Sequence, residues 1–227
     1  QTLQYLSEVI LSALQNKNLY RLGMGNDLIQ FFREYLDGNV QDESRVINCL
    51  SFLNWNRYDH YLCLRLEPDQ PDVQLHSSAA TLSYIETQIQ DSYAFLHQNG
   101  ITVVVNLTHS GAKTPDVLRS LAMLLREELL KMGASSQIGD FFQLPQGYQQ
   151  AKTVLELGRR SHSMHWYYRF EDYLLEFLLQ KGGEVFSPEL LCSAKLLALR
   201  QYDRENHADL YHTLKVFLEQ ERNVLQT

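Results

Sequence analysis

The chain has 227 residues, of which 44% are hydrophobic and 21% charged, a balance typical of a globular protein with one large core or two small ones. Its formal net charge of −7 is the wrong sign for a broad surface that binds nucleic-acid phosphates. No apolar run approaches the ~18 residues of a membrane helix, and the widely spaced Cys49, Cys63 and Cys192 predict buried free thiols in a reducing, cytoplasmic location without membrane contact.

Residues 1–54 are predicted to be a helical segment of three helices. The first carries an apolar seam that could pack on the rest of the chain or on a second copy of it, and two heptads do not decide between these alternatives. The second runs from about Asn26 to Leu36, with Gly38 just past its end, and the third starts near Asp42. The apolar positions of the first and third helices are Leu3, Leu6, Ile10 and Ala13, and Val46, Cys49, Leu50 and Leu53.

Residues 55–170 are predicted to form a mixed domain of helices and strands. From Tyr58 to Leu66 the residues alternate as in a strand with one face on a core, and a proline-containing loop, residues 67–72, follows. Residues 77–90 predict a helix. The next segment, Tyr93 to Leu107, predicts a hairpin with Asn99 and Gly100 at the centre of its turn, because a type I′ turn needs positive φ at both positions.

The second half of this domain begins with a predicted helix. The Thr-Pro-Asp triplet at 114–116 supplies a hydroxyl cap, a proline at the first helical position and an acid near the positive end of the helix dipole. Gly133 is predicted to end this helix. Residues 137–142 then predict a short strand, and residues 145–157 predict a helix that ends at Gly158.

A last strand is predicted over residues 165–170, with Trp166, Tyr168 and Phe170 on one side and Tyr167 on the other. These aromatic residues favour a strand packed against helices, and stacking on a planar ligand is the alternative. The order β-α-β-β-α-β, followed by α-β, is the split βαβ order of ferredoxin-like folds. We therefore predict an α+β fold whose sheet carries helices on one face.

Residues 171–227 are predicted to be helical. An amphipathic helix from Glu171 to Gln180 is ended by Lys181-Gly182-Gly183, Ser187-Pro188-Glu189 starts another, and a last helix begins near Ala208. Bases and acids nearly cancel in the second half of this segment. We therefore do not expect it to bind DNA by itself.

Two stretches of the sequence are similar to one known family. The hairpin, the run SQIG at 136–139 and the run YQQA at 148–151 resemble the GGDEF-like sensory domain of PucR/CdaR-type bacterial transcription regulators. The runs LRQYD at 199–203 and DLYHTLKVFL at 209–218 resemble the opening of that family's C-terminal helix-turn-helix domain.

The resemblance implies a non-catalytic, signal-sensing part of a DNA-binding transcription regulator. Such proteins respond to a small metabolite, often from sugar-acid or purine breakdown. The resemblance also implies that the DNA-recognition helix follows Thr227, so that DNA is bound only through a part that this fragment lacks, and that the parent reads two half-sites as a homodimer. Ligand-binding residues are unknown, and neither a cofactor nor a metal is expected.

A catalytic relative would need carboxylates that hold two Mg²⁺ ions against a triphosphate. The resemblance implies that they would lie at the end of the first strand and at the hairpin tip. Glu67 and Asp69 follow the first strand, but the tip residues Gln98, Asn99 and Gly100 carry no acid. We therefore expect no catalytic residues and predict that Glu67 and Asp69 are solvated loop acids.

The remaining motifs are weaker candidates for chemistry. His162 and His165 have no third metal ligand nearby in the sequence. His207 and His212 are five residues apart, a spacing that does not suit a metal site on a helix. His109 and Ser110 are neighbours, but the sequence lacks the G-x-S-x-G motif of a nucleophilic serine. The alternative functions are a nucleotide cyclase or phosphodiesterase relative with displaced ligands and a protein-protein interaction adaptor.

Overall fold

The computed structural model of the chain describes residues 26–40, 42–70 and 79–219. These residues belong to two compact units, one ending at Leu174 and the other starting at Leu175. The predicted first helix, with its Leu3 seam, lies outside the described residues, as does the start of the helix predicted from residue 77. Among the described helices, none combines the length and the hydropathy that a membrane span requires.

The first unit is built on one sheet of five strands in the order β2-β3-β1-β4-β5. Adjacent strands are antiparallel except for β4 and β5, which are parallel. This arrangement confirms the predicted α+β class. The strands are β1 (Tyr61–Pro68), β2 (Ser92–His97), β3 (Gly100–Asn106), β4 (Leu130–Ala134) and β5 (Tyr167–Arg169).

Helices connect and cover these strands. The second and third helices predicted before β1 are confirmed: the second is followed by Gly38 in the left-handed region, with φ 77°, and Asp42 caps the third through its side chain. Two 3-10 turns, Phe141–Gln143 and Phe170–Tyr173, precede longer helices. The helices of this unit are α1 (26–36), α2 (Glu43–Leu53), α3 (Ala79–Gln88), α4 (Leu107–Ser110), α5 (Thr114–Ser120), α6 (Ala122–Glu127) and α7 (Leu144–Ser161).

Both faces of the sheet are covered, which corrects the prediction of helices on one face. Leu62 and Leu64 of β1 lie in a core with α3, α5 and α6. Tyr61 and Cys63 lie on the other face, in an aromatic-rich core with α1, α2 and the start of α7. Strand β1 is therefore buried on both faces, whereas its alternating sequence predicted a core on one face only.

Strand β2 forms one of the two edges of the sheet, and side chains from helices on both faces reach its backbone. The Glu86 side chain on α3 accepts a hydrogen bond from the backbone N–H of Ala94 at 3.0 Å. On the opposite face, Arg33 of α1 donates through Nε to the carbonyl oxygen of Leu96 at 2.8 Å. Two backbone groups of β2 that face away from β3 are therefore bonded to side chains.

The region from 114 to 142 differs most from the sequence prediction. The helix starts at Thr114, but Lys113 occupies the cap position and no side chain caps it. It breaks at Leu121 into α5 and α6, and the strand is β4 rather than residues 137–142. Only Ile138 of the latter segment pairs with a strand, through a single bridge to Tyr61.

Gly133 explains the misplaced strand. It lies inside β4, where a Cβ added to the glycine would be 2.0 Å from the backbone oxygen of Ala151 on α7. Gly158 was also predicted to end a helix, yet α7 continues to Ser161. A Cβ added to Gly158 would lie 2.1 Å from the ring of Tyr168. Both glycines serve close packing and not helix termination.

The described part of the second unit, which ends at residue 219, is helical. Asp203 accepts hydrogen bonds from the backbone N–H groups of Leu210 and Tyr211 at 3.1 and 2.8 Å, and the guanidinium of Arg200 lies 5.3 Å from the Tyr211 ring. The predicted end at Gly182 and Gly183 is wrong, because the helix continues to Val185. Its helices are α8 (Leu174–Val185), which begins at the last residue of the first unit, α9 (Pro188–Leu191), α10 (Ala194–Asn206) and α11 (Leu210–Glu219).

A candidate functional site at the end of the first strand

The carboxyl end of β1 lies beside the turn between β2 and β3. Strands β1 and β3 are antiparallel, and Leu66 near the end of β1 pairs with Ile101 near the start of β3. Glu67 is therefore close to the turn residues, as the resemblance implied. The sheet thus brings together the two positions at which the resemblance implies metal-binding carboxylates in a catalytic relative.

The turn itself is shifted by one residue from the prediction. Its two central residues are Gln98 and Asn99, with φ 42° at Gln98, because His97 pairs with Gly100 as the last and first residues of their strands. A Cβ on Gly100 would lie 2.6 Å from Cζ of Arg65. Gly100 is needed for the space that Arg65 occupies, and the tip carries amide side chains and no carboxylate.

Arg65 is the centre of this site. Its side chain is only 2% exposed, and its Nη1 donates to the carbonyl oxygen of His97 at 2.6 Å and to Thr102 Oγ1 at 3.3 Å. Its Nε donates to Glu67 Oε1 at 2.9 Å. A buried guanidinium is tolerated only where its donors are paired, and this one has a carboxylate and two neutral acceptors.

Glu67 lies between two guanidinium groups. Its second oxygen, Oε2, is 3.3 Å from Nη1 of Arg159, and Arg159 also donates to the carbonyl oxygen of Pro68 at 2.6 Å. The Glu67 side chain is 22% exposed and belongs to β1. The prediction that Glu67 is a solvated loop acid is therefore wrong, because the carboxylate is shared between the guanidinium groups of Arg65 and Arg159.

Asp69 also has a cationic partner. It directly follows β1, its side chain is 45% exposed, and Oδ1 lies 3.3 Å from Nζ of Lys131. Lys131 is buried, and Nζ donates to the backbone oxygen of Ser163 and to Tyr168 Oη. Asp69 is thus an exposed loop acid, as predicted, but it is paired. Within the described ranges, no three His, Cys, Asp or Glu side chains are grouped so that they could hold a metal ion.

His97 adds a titratable group to the site. Its side chain is buried, 5.1 Å from the Tyr148 ring between centroids, and Nε2 lies 3.1 Å from Asp37 Oδ1 without hydrogen-bond alignment. Burial lowers the pKa of His97 below its usual value. The Asp37 carboxylate opposes this shift, whereas the positive charges of Arg65 and Arg33 add to it.

We expect His97 to make the fold less stable as the pH decreases. The folded chain protonates this imidazole at a lower pH than the unfolded chain, whose ordinary pKa is 6.5, so stability is lost as the pH falls through 6.5 towards the lower pKa of the folded chain. The loss can be at most about 1.4 kcal/mol per pH unit. Urea unfolding at pH 7.5 and 5.5 measures it. His97→Gln should flatten the dependence, whereas the control His60→Gln, at an exposed position, should not. Equal pH slopes in wild type and His97→Gln would contradict this assignment.

Sequence reasoning found two members of this site and missed the cations. Arg65, Lys131 and Arg159 come from β1, β4 and α7, and their proximity depends on the strand order. One signal was visible, since Arg65 is a charge at an otherwise apolar position of the β1 alternation. A charge there indicates a buried partner.

The first histidine pair and the His-Ser pair are brought into structural contacts. The rings of His162 and His165 stack at 5.3 Å between centroids, and His162 Nδ1 is 2.9 Å from Tyr173 Oη. His109 Nε2 lies 3.3 Å from Asp59 Oδ2, and the adjacent Ser110 accepts a bond from a loop N–H. These contacts favour structural roles.

The remaining candidates are placed as follows. His207 ends α10 in the left-handed region with φ 50°, and His212 lies on α11. Burial raises the pKa values of Cys49 and Cys63 to about 12. Cys192 is exposed, which corrects the prediction of three buried thiols.

The aromatic residues 166–170 alternate in burial as predicted. Tyr168 and Phe170 are buried, Trp166 is partly buried, and Tyr167 is exposed.

The chain was compared with known protein families and with curated proteins. Residues 37–157, slightly more than half of the chain, match the GGDEF-like domain family. The matched region contains β1 to β4 and most of α7, and therefore Arg65, Glu67, Asp69, His97 and Lys131 of the site but not Arg159. No curated protein matches the chain.

Proposed function

Because the chain belongs to the GGDEF-like domain family, we propose that it is the non-catalytic, signal-receiving part of a bacterial DNA-binding transcription regulator. The observation that carries this proposal is the pairing of Glu67 with Arg65 and Arg159. At Glu67, the carboxylate that a cyclase would offer to a metal is shared between two guanidinium groups.

The energetics support a scaffold role for these charges. A cyclase uses carboxylates to bind Mg²⁺, which neutralises the triphosphate during transfer. Turning Glu67 towards a metal would leave Arg65 buried without its carboxylate, and breaking a buried ion pair costs about 3–5 kcal/mol. The neighbouring turn offers the neutral side chains of Gln98 and Asn99 in place of a second acid.

The second unit supports the regulator part of the proposal. The residues that resemble the start of a helix-turn-helix domain include Arg200, Asp203 and Tyr211, and these side chains fix the connection between α10 and α11. We propose that the parent protein continues after Thr227 into a basic recognition helix and acts as a dimer. The 227-residue chain should bind DNA weakly, and a version extended past Thr227 should bind it specifically.

We expect no turnover of GTP. Incubation with GTP and Mg²⁺ or Mn²⁺, followed by chromatography of the nucleotides, should give no pyrophosphate and no cyclic product above buffer, because Glu67 is already paired. An active diguanylate cyclase serves as the positive control. Product formation that Glu67→Gln abolishes, in a variant whose circular dichroism is unchanged, would support an enzyme instead.

A protein-protein interaction adaptor is separated from a sensor by ligand binding. A ligand that binds only the folded chain stabilises it, by about 2.7 kcal/mol when the ligand concentration is a hundred times Kd. This stabilisation raises the melting temperature of the chain. A thermal-shift screen of organic acids, purines and nucleotides therefore tests the sensor. The sensor proposal fails if every compound leaves the melting temperature unchanged.

A further inference from the structure

The turn that follows α7 places two histidines and a methionine at the surface. Helix α7 ends at Ser161, and the N–H of His165 donates to the carbonyl oxygen of His162 at 3.1 Å, which closes a tight turn. Met164, inside the turn, is 88% exposed, and both histidines are exposed. Because imidazole nitrogen and thioether sulfur both bind copper, the turn presents three possible metal ligands within four residues.

The backbone of this turn is held by buried side chains. Tyr168 Oη lies 3.0 and 2.9 Å from the carbonyl oxygens of His162 and His165. Nζ of the buried Lys131 donates to the carbonyl oxygen of Ser163 and to Tyr168 Oη. Three carbonyl groups of the turn are therefore bonded to the core. A backbone fixed in this way keeps the side chains of the turn close together before a metal binds.

The ring of His162 is also oriented. Its Nδ1 lies 2.9 Å from Tyr173 Oη. Histidine metal ligands usually make such a bond with their second nitrogen, which fixes the ring and leaves the other nitrogen for the metal. The His165 ring contacts the rings of His162 and Tyr168, and within the described residues it makes no hydrogen bond or ion pair. The structural contacts of the turn thus use its backbone and one ring nitrogen.

The two rings have the spacing of ligands that share one ion. Their centroids are 5.3 Å apart. With a metal–nitrogen distance of about 2.0 Å, two imidazoles on one ion have their centroids about 5–6 Å apart. The ring planes of His162 and His165 differ by 10°, so the His165 ring must turn about χ2 before both rings direct a nitrogen at the ion. This torsion is broad, and the side chain is exposed, so the rotation costs little.

The surroundings of the turn favour a soft monovalent ion. The positive charge of Lys131, which is paired with Asp69 at 3.3 Å, repels a divalent ion more than a monovalent one. Within the described ranges, no Cys, Asp, Glu or further His side chain joins the two histidines as a third ligand. The third ligand that the turn offers is the thioether of Met164, and thioether ligands select Cu(I).

From this arrangement we infer that the turn binds one Cu(I) ion through Nε2 of His162, a ring nitrogen of His165 and Sδ of Met164. The buried side chains beneath the turn position these ligands and do not contact the ion. This inference goes beyond the proposed sensory function and does not depend on it.

The test is a Cu(I) titration in competition with the chromogenic chelator bicinchoninate, under anaerobic and reducing conditions. Every variant carries Cys192→Ser, because this exposed thiol would itself bind Cu(I). His165→Gln and Met164→Leu should each raise Kd about tenfold or more. The matched controls His60→Gln and Met123→Leu, at exposed positions of other segments, should change Kd less than about twofold.

X-ray absorption at the copper K edge tests the thioether directly. A sulfur shell should be present with Met164 and absent in Met164→Leu, whose circular dichroism should be unchanged. A spectrum without sulfur, or a Kd that either turn variant leaves unchanged, would overturn the inference. Zn²⁺ is the second arm, and Zn²⁺ binding as tight as Cu(I) binding would refute the assignment to a soft ion.

Discussion

Gly133→Ala is expected to lower the free energy of unfolding by about 3 kcal/mol or more, or to prevent folding. Overpacking a core usually destabilises a protein by about 1–3 kcal/mol, and the cost is highest where the contacted group cannot move. The new methyl group would start 2.0 Å from the backbone oxygen of Ala151. A flexible side chain could rotate away from such a contact. This oxygen belongs to the hydrogen-bonded backbone of α7, so the whole helix would have to move away from β4.

Urea unfolding followed by circular dichroism measures the effect of Gly133→Ala. Gly139→Ala is the matched control, since a Cβ there meets nothing within 4 Å and the residue has no positive φ. The control should stay within about 0.5 kcal/mol of wild type. Equal stabilities of the two alanine variants would show that α7 does not approach β4 as closely as described.

Arg65→Met is the second change with a large expected effect. It removes the buried guanidinium that holds Glu67, the carbonyl oxygen of His97 and Thr102 Oγ1. Removing one partner of a buried ion pair leaves an uncompensated charge, and we expect a loss of about 3–5 kcal/mol. Arg159 keeps a contact with Glu67, so the loss should lie in the lower half of this range.

Unfolding of Arg65→Met, Glu67→Gln and the double variant forms a double-mutant cycle for this pair. The two single losses should sum to more than the loss of the double variant, with a coupling of about 1–3 kcal/mol. Arg119→Met is the control, because its exposed pair with Asp116 should be worth less than about 1 kcal/mol. A cycle that closes additively would mean that Glu67 does not stabilise Arg65.

Local patterns predicted the elements that depend on near neighbours. The helix start near Asp42, the helix end at Gly38 and the strand β1 each depend on contacts within a few residues, and the structure has all three. The hairpin was predicted within one residue of its turn. Gly100 misled the placement, since it provides space for Arg65 and not a positive φ.

Elements that depend on distant neighbours could not be predicted in this way. A glycine that ends a helix and a glycine that lets two backbones approach look alike in a sequence, so the roles predicted for Gly133 and Gly158 were wrong. The candidate site shows the same limit, because Glu67 and Arg159 are 92 positions apart. Only the order of the strands and the path of α7 bring that pair together.

The bonds that Glu86 and Arg33 make to β2 have a consequence for the behaviour of the chain at high concentration. An open strand can recruit a neighbouring molecule through its free N–H and C=O groups and so begin a fibril. In β2 the N–H of Ala94 and the C=O of Leu96 are already bonded to side chains from opposite faces of the sheet. A strand that added to β2 at these positions would first have to break both bonds, so the native fold disfavours self-templated growth there.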